Sequence, residues 1–228
     1  MKAVKRMIAI LLALMLLAGC SSRTESTSTT TPVSTPAESS PTESTPVEPT
    51  VVISPLPDST MDNLTDAILS VSFEEGSVYV DDSGILQMDA KIYSYDQYDM
   101  VEVSMLKVGD TIETHSGEVN VASLEKKDDG TILINGGIEK DGLNLVTDGN
   151  GIFYEITADD EKKWYEVGEA TIRVSTEFIG YDNSDPAQGE VLMYPGGFVT
   201  NEVSNYDFSP LNTTIRVENG QIIELNRW

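Results

Sequence analysis

Leu86, Met88, Ala90 and Ile92 alternate with Gln87, Asp89 and Lys91, and a spacing of two is what a strand with one buried face requires. Shorter stretches of the same kind run from Ile68 to the end of the chain. Residues 68–73, 78–80, 118–124, 131–134, 143–146, 151–156, 170–176, 191–194, 214–217 and 221–225 all read as strands. Turn chemistry separates them: Asp81-Asp82-Ser83-Gly84, Asp128-Asp129-Gly130, Asp148-Gly149-Asn150-Gly151 and Glu218-Asn219-Gly220. The Asn219-Gly220 pair is the strongest short hairpin signal among them. No long apolar segment of helical period interrupts the pattern. Such a chain is expected to be mainly β, a small antiparallel barrel or sandwich with an appended hairpin.

The long strand at 86–92 is expected to turn through Tyr95-Asp96-Gln97-Tyr98 into a partner strand, where Val101, Val103 and Met105 alternate with Glu102 and Ser104. Ser59 followed by Asp62 caps at most a short helical turn through Leu64 and Ala67. Residues 182–189, with Pro186, read as a long loop. The only cysteine is Cys20, so no disulfide supports the fold and its stability must come from an apolar core. A segment of about 170 residues is large enough to build one.

Lys2, Lys5 and Arg6 precede an unbroken apolar run at 7–17. That run is too short to span a bilayer, which takes about 20 apolar residues, and it has the build of a secretory signal. Leu17-Ala18-Gly19-Cys20 resembles the lipobox of bacterial lipoproteins. The resemblance implies that the Cys20 sulfur carries a diacylglyceryl group, that the signal is cut before it, and that palmitate-type chains hold the protein on the extracytoplasmic face of the cell membrane. Two or more acyl chains give stable anchoring where one is marginal. Residues 21–58 are built of Ser, Thr, Pro and Glu, with near-repeats at 34–38 and 44–48, and are expected to be a disordered stalk. Stalks of this composition resemble those of Gram-positive lipoproteins, and the remainder is similar to uncharacterised lipoprotein modules of Firmicutes. The expected organisation is signal peptide 1–20, stalk 21–58 and acidic β domain 59–228.

The net charge is −24, and loss of the three signal-peptide cations takes it to −27. Nucleic acid is excluded by this balance, since Arg173, Arg216 and Arg227 are scattered where phosphate binding needs clustered cations. Such a balance is accounted for by a soluble, solvated surface; cations and basic peptides are the partners its field would favour.

The usual catalytic sets are missing from the sequence. His115 is the only histidine and lies in a turn, Thr114-His115-Ser116-Gly117, and no Gly-x-Ser-x-Gly elbow occurs. No cofactor is expected, apart from calcium held by hard oxygen ligands at Asp182, Asp185 and Glu190. Leu106-Lys107-Val108-Gly109-Asp110-Thr111-Ile112 resembles a segment found in PDZ domains and in many unrelated small barrels, and reads as a tight turn. The most distinctive chemistry is the crowding of Tyr93, Tyr95, Asp96, Tyr98 and Asp99. Tyrosine faces beside carboxylates can bind a glycan or a peptide, while strand propensity alone also accounts for the tyrosines. The expectation is a non-enzymatic binding or envelope-associated module; the alternative is a carboxylate-dependent cell-surface hydrolase of the glycosidase type. Replacing Cys20 with Ser, or treating cells with globomycin, should move the protein out of the membrane fraction. A variant that fractionates with the membrane as before refutes the anchor.

Overall fold

The computed structural model describes residues 49–228 other than 75, 186, 188 and 198–207. The lipobox with Cys20, most of 21–58 and Pro186 lie outside the described residues. The first strands are β1 (Val52–Ile53), β2 (Ala67–Ser72), β3 (Val78–Val80), β4 (Leu86–Ser94) and β5 (Gln97–Asp99), followed by a short helix α1 (Met100–Met105). Then come β6 (Thr111–Thr114), β7 (Gly117–Asn120), β8 (Leu124–Lys126), β9 (Ile132–Ile134), β10 (Leu143–Thr147) and β11 (Ile152–Glu155). The chain closes with β12 (Tyr165–Asp182), β13 (Val191–Met193), β14 (Thr213–Glu218) and β15 (Gln221–Arg227). Among the described residues no helix is long and apolar enough to cross a membrane.

Five strands form a closed barrel. β2 pairs antiparallel with β4, β4 with β12, β15 with β14 and β14 with β2, while β12 and β15 run parallel and complete the ring. In order of occurrence the ring reads first, second, third, fifth, fourth and back to first, a Greek-key closure. β3 extends the sheet beside β4, and β13 beside β12. Alternation places Met88, Ala90 and Ile92 of β4 inside, with Asp89 and Lys91 exposed on the opposite face. They meet Leu69, Val71, Ile172, Val174, Phe178, Ile215, Ile222 and Leu225 in the first core. Asn219 and Gly220 both have positive φ (51° and 71°), as a two-residue turn matched to the strand twist requires.

The chain between the second and third ring strands leaves the barrel and, with β1 from ahead of the first ring strand, builds a second core. One sheet has the order β5-β11-β10-β9-β8 and another β1-β6-β7, and Ile53, Tyr98, Val103, Ile112, Ile134, Leu145 and Phe153 pack together between them. Asp110 is buried and ties the segments: one carboxylate oxygen accepts the Val51 N–H and the other the Lys107 N–H, both at 3.0 Å. The Gly109-Asp110 turn is therefore a structural clasp.

Three expectations need correction. Residues 101–105 form α1 and not a partner strand for 86–92, because the Asp99 carboxylate accepts the Val101 and Glu102 N–H groups and caps a helix there. The turn that follows Ser59 is a single one and does not run through Leu64 and Ala67: Asp58 accepts the Thr60 N–H, the Ser59 carbonyl accepts the Asp62 N–H, and Ala67 already begins β2. The expected boundary between 58 and 59 is not kept, because β1 lies within 21–58, pairs parallel with β6 and buries Ile53. Val51-Val52-Ile53 is a β-branched run whose burial outweighs the ordering cost that keeps a Ser/Thr/Pro segment unfolded. A chain starting at Ser59 should accordingly be less stable than one starting at Pro49 by about 2–5 kcal/mol, the range for removing a buried isoleucine. Equal denaturation midpoints and slopes would contradict the placement of β1.

Candidate functional site

β4 ends at Ser94 directly opposite Tyr165, where β12 begins. The residues that follow one strand and precede the other therefore lie side by side, and Tyr95-Asp96 faces Lys162-Lys163-Trp164 across a seam between the barrel and the inserted sheets.

Its floor is polar. Asp96 is buried, and its Oδ2 accepts the His115 backbone N–H at 2.6 Å, with the Tyr98 hydroxyl 3.4 Å away. Tyr98 donates to the Glu113 carbonyl at 3.0 Å. The exposed ring of His115 stacks on Tyr165 with centroids 3.8 Å apart and planes within 2°. Burial, and then the negative charges of Asp96 and Asp58, push the Tyr165 phenol up to about 12. The Tyr98 phenol is raised in the same direction, first by burial and then by Asp96 and Glu155. For Asp58, burial acts to raise the carboxyl, but hydrogen bonds from Thr60 and Ser94 prevail and hold it below the usual range. Glu155 is buried and paired with Lys163 at 2.6 Å. Asp96, His115, Glu155, Lys163, Trp164 and Tyr165 line a cavity of about 100 Å³, room for a few waters and too small for a sugar ring. A wider, shallow depression of about 480 Å³ adjoins it over Asp58, Asp96, His115 and Tyr165.

Its rim is aromatic. Tyr95 meets Trp164 edge to face at 5.0 Å and 78°, and Tyr154 at 5.9 Å and 77°. The Lys162 ammonium lies 4.1 Å from the Tyr95 centroid, 5.0 Å from that of Tyr154 and 5.9 Å from that of Trp164. All four side chains are half-buried. Sequence holds Lys162 there: the Ile156–Lys162 bridge closes a tight turn in which the Thr157 N–H donates to the Glu161 carbonyl and Asp160 takes φ 61°.

The tyrosine-rich cluster of the sequence is thus divided. Tyr95 and Asp96 belong to the seam. Tyr98 is wholly buried in the second core, Asp99 caps α1, and Tyr93 lies on the barrel's outer side, its hydroxyl 3.0 Å from that of Ser72. A surface platform that includes Tyr98 does not form, because strand β5 turns that ring inward. Tyr154, Lys162, Trp164 and Tyr165 carry the site without having been singled out in the sequence; the signal available was Lys162-Lys163-Trp164-Tyr165, two cations followed by two aromatics in a strongly acidic chain.

The calcium set is not assembled either. Asp182 is buried against Arg227, with Oδ2 3.4 Å from the guanidinium, and its Oδ1 accepts the Ser184 N–H; Asp185 accepts the Ala187 N–H, and Glu190 is exposed. Among the described residues no group of three or more His, Cys, Asp or Glu is placed to hold a metal. Acidic turns spend their oxygens on their own backbone: Asp81 accepts the Ser83 and Ile85 N–H groups and Asp129 that of Thr131, which holds both carboxylates below the usual range.

Comparison with known proteins finds no matching family model, no matching curated protein and no matching solved structure. The seam must be judged on its own geometry.

The raised Tyr165 phenol fixes the sign of an alkaline effect. An unfolded tyrosine ionises near pH 10, whereas the folded one holds its proton to about 12. The unfolded state therefore releases its proton first, and stability falls as pH rises through that window. Tyr165→Phe should flatten the fall in stability between pH 10 and 12. An unchanged slope would remove Tyr165 from the account.

Proposed function

We propose that this chain is a lipid-anchored extracytoplasmic protein whose β domain is a non-enzymatic binding module, and that its ligand is engaged at the seam between the barrel and the inserted sheets. The lipobox at Leu17-Ala18-Gly19-Cys20 supports the address. The observation that carries the binding reading is the rim of Tyr95, Tyr154 and Trp164, three half-exposed rings set against a buried carboxylate, Asp96. Rings with flat apolar faces contribute contact area at little entropic cost, and fixed polar groups behind them orient a glycan or a peptide. A fold-level analogy points the same way: five-stranded Greek-key barrels of the oligosaccharide- and oligonucleotide-binding type use the face of their second and third strands. Here those strands are β4 and β12, which meet at the seam. Net charge argues against the nucleic-acid half of that analogy, and a shared architecture never names a ligand by itself.

A carboxylate-dependent hydrolase is the second reading, favoured by one observation: Asp96 and Glu155 are both buried and border the same cavity. Both are already engaged, Asp96 by the His115 N–H and Glu155 by Lys163, and the space between is small. Binding is the better supported of the two.

The full-length protein, applied to glycan and peptide arrays, should select a ligand. Tyr95→Ala and Trp164→Ala should each weaken it about thirtyfold or more, as central aromatic anchors do, while Tyr93→Phe, away from the seam, leaves it unchanged. Selected binding that survives both seam substitutions would sink the assignment, and turnover of an array glycan abolished by Asp96→Asn or Glu155→Gln would replace it with the hydrolase.

A further inference from the structure

Lys162 stands out among the cations of the seam. Its neighbour Lys163 reaches Glu155 at 2.6 Å, and Lys91 and Arg216 lie beside carboxylates. Lys162 forms no ion pair among the described residues, in which it is like Lys126, Lys127, Lys140 and Arg173; what distinguishes it is what its ammonium meets instead. Its ammonium faces three rings. Trp164 and Tyr154 each meet Tyr95 edge to face, at 78° and 77°, and the ammonium lies over all three ring faces. A positive charge over a ring face is attracted by the ring quadrupole, and several faces turned to one point make the arrangement by which proteins take up organic ammonium groups.

We propose that Tyr95, Tyr154 and Trp164 form a cage for an organic ammonium group, and that Lys162 is its built-in occupant, displaced when the ligand enters. This rests on the binding reading above and names the ligand chemistry of the same seam. Lys162 sits in a tight turn closed by the Ile156–Lys162 bridge, so its side chain can swing out without disturbing a strand. An open groove of about 240 Å³ runs along Lys162 and Trp164 past Glu161, Pro210 and Leu211 and gives the ligand a way in. The surrounding field suits a cation, since Glu161 borders the groove and Asp148 lies near enough to feel the charge of Lys162. An internal occupant acts as a competitor. If it fills the cage in about nine molecules of ten, the apparent affinity for a free ammonium is about tenfold weaker than the cage's own. The same occupancy weakens every bare cation by that factor, so a ligand with additional contacts along the groove displaces the tethered lysine at lower concentration.

The test uses the full chain carrying Trp228→Phe, which leaves Trp164 as the sole tryptophan and hence its fluorescence as the reporter. Tetramethylammonium chloride is the probe, with sodium chloride at equal ionic strength as the control. The parent should bind weakly and Lys162→Ala about tenfold more tightly; adding Tyr95→Leu to Lys162→Ala should abolish the response. A Lys162→Ala protein that is folded by circular dichroism yet binds no more tightly than the parent overturns the proposal, as does binding that survives Tyr95→Leu. Should the alanine variant misfold, the parent decides by NMR. Ring currents shift the Lys162 ε-methylene protons upfield, and saturating tetramethylammonium should return them to ordinary values; protons that stay in place refute displacement. Choline and a trilysine peptide then separate the source of the ammonium, the tighter of the two identifying a small molecule or a peptide side chain. Array binding lost in Tyr95→Ala, with no gain in Lys162→Ala, would leave the binding reading standing and the cage inference refuted. Array binding indifferent to the seam, with a tenfold gain for tetramethylammonium, would do the reverse.

Discussion

Closure of the barrel depends on the pairing of β4 with β12, two strands separated in the chain by the whole inserted lobe. Without that ladder the first core has an open side, and β12 cannot present its second half to β15. The pairing is long, running from Tyr165 opposite Ser94 to Arg173 opposite Gln87, and it absorbs one irregularity between Glu166 and Gly168. The Met61 side chain of the turn preceding β2 packs against this irregularity: a Cβ at Gly168 would come within 2.9 Å of its terminal methyl, which would have to shift aside. The candidate site follows from the same ladder, because fixing Ser94 against Tyr165 brings Asp96, Trp164 and the rings around Lys162 together.

Much of the barrel could be read from alternation. In β4, and in the Asn219-Gly220 hairpin, the local pattern and the tertiary demand coincide, so spacing and turn chemistry suffice. β12 was legible only in part, at 170–176, because it spans eighteen residues, changes partners along its length and carries irregularities that scramble the period of two. The segment 101–105 misled for the opposite reason. Its alternation is genuine but brief, and one capping carboxylate, Asp99, outweighs it. Val51-Val52-Ile53 was hidden by its flanks, since the composition of a stalk says nothing about a short β-branched run at its end.

For the site, Tyr95 and Asp96 could be found from crowding alone. Their partners could not, because Tyr154, Lys162 and Trp164 are brought to them by long-range pairing that no local spacing reports. A doublet of lysines before two aromatics was the available signal, and in an acidic chain it marks where the charge balance is locally reversed. The acidic turns point the other way: abundant carboxylates drew attention as ion ligands, yet Asp81, Asp129 and Asp182 serve their own loops and a buried arginine.

The parallel seating of β15 against β12 has a consequence for the order of folding. β15 is the last ring strand to leave the ribosome, so no earlier portion of the chain can shut the barrel. The inserted lobe differs, since every strand of its core has been delivered once β11 is out. A chain with these two timetables folds in two steps, the lobe first and the barrel only once β15 is free to pair.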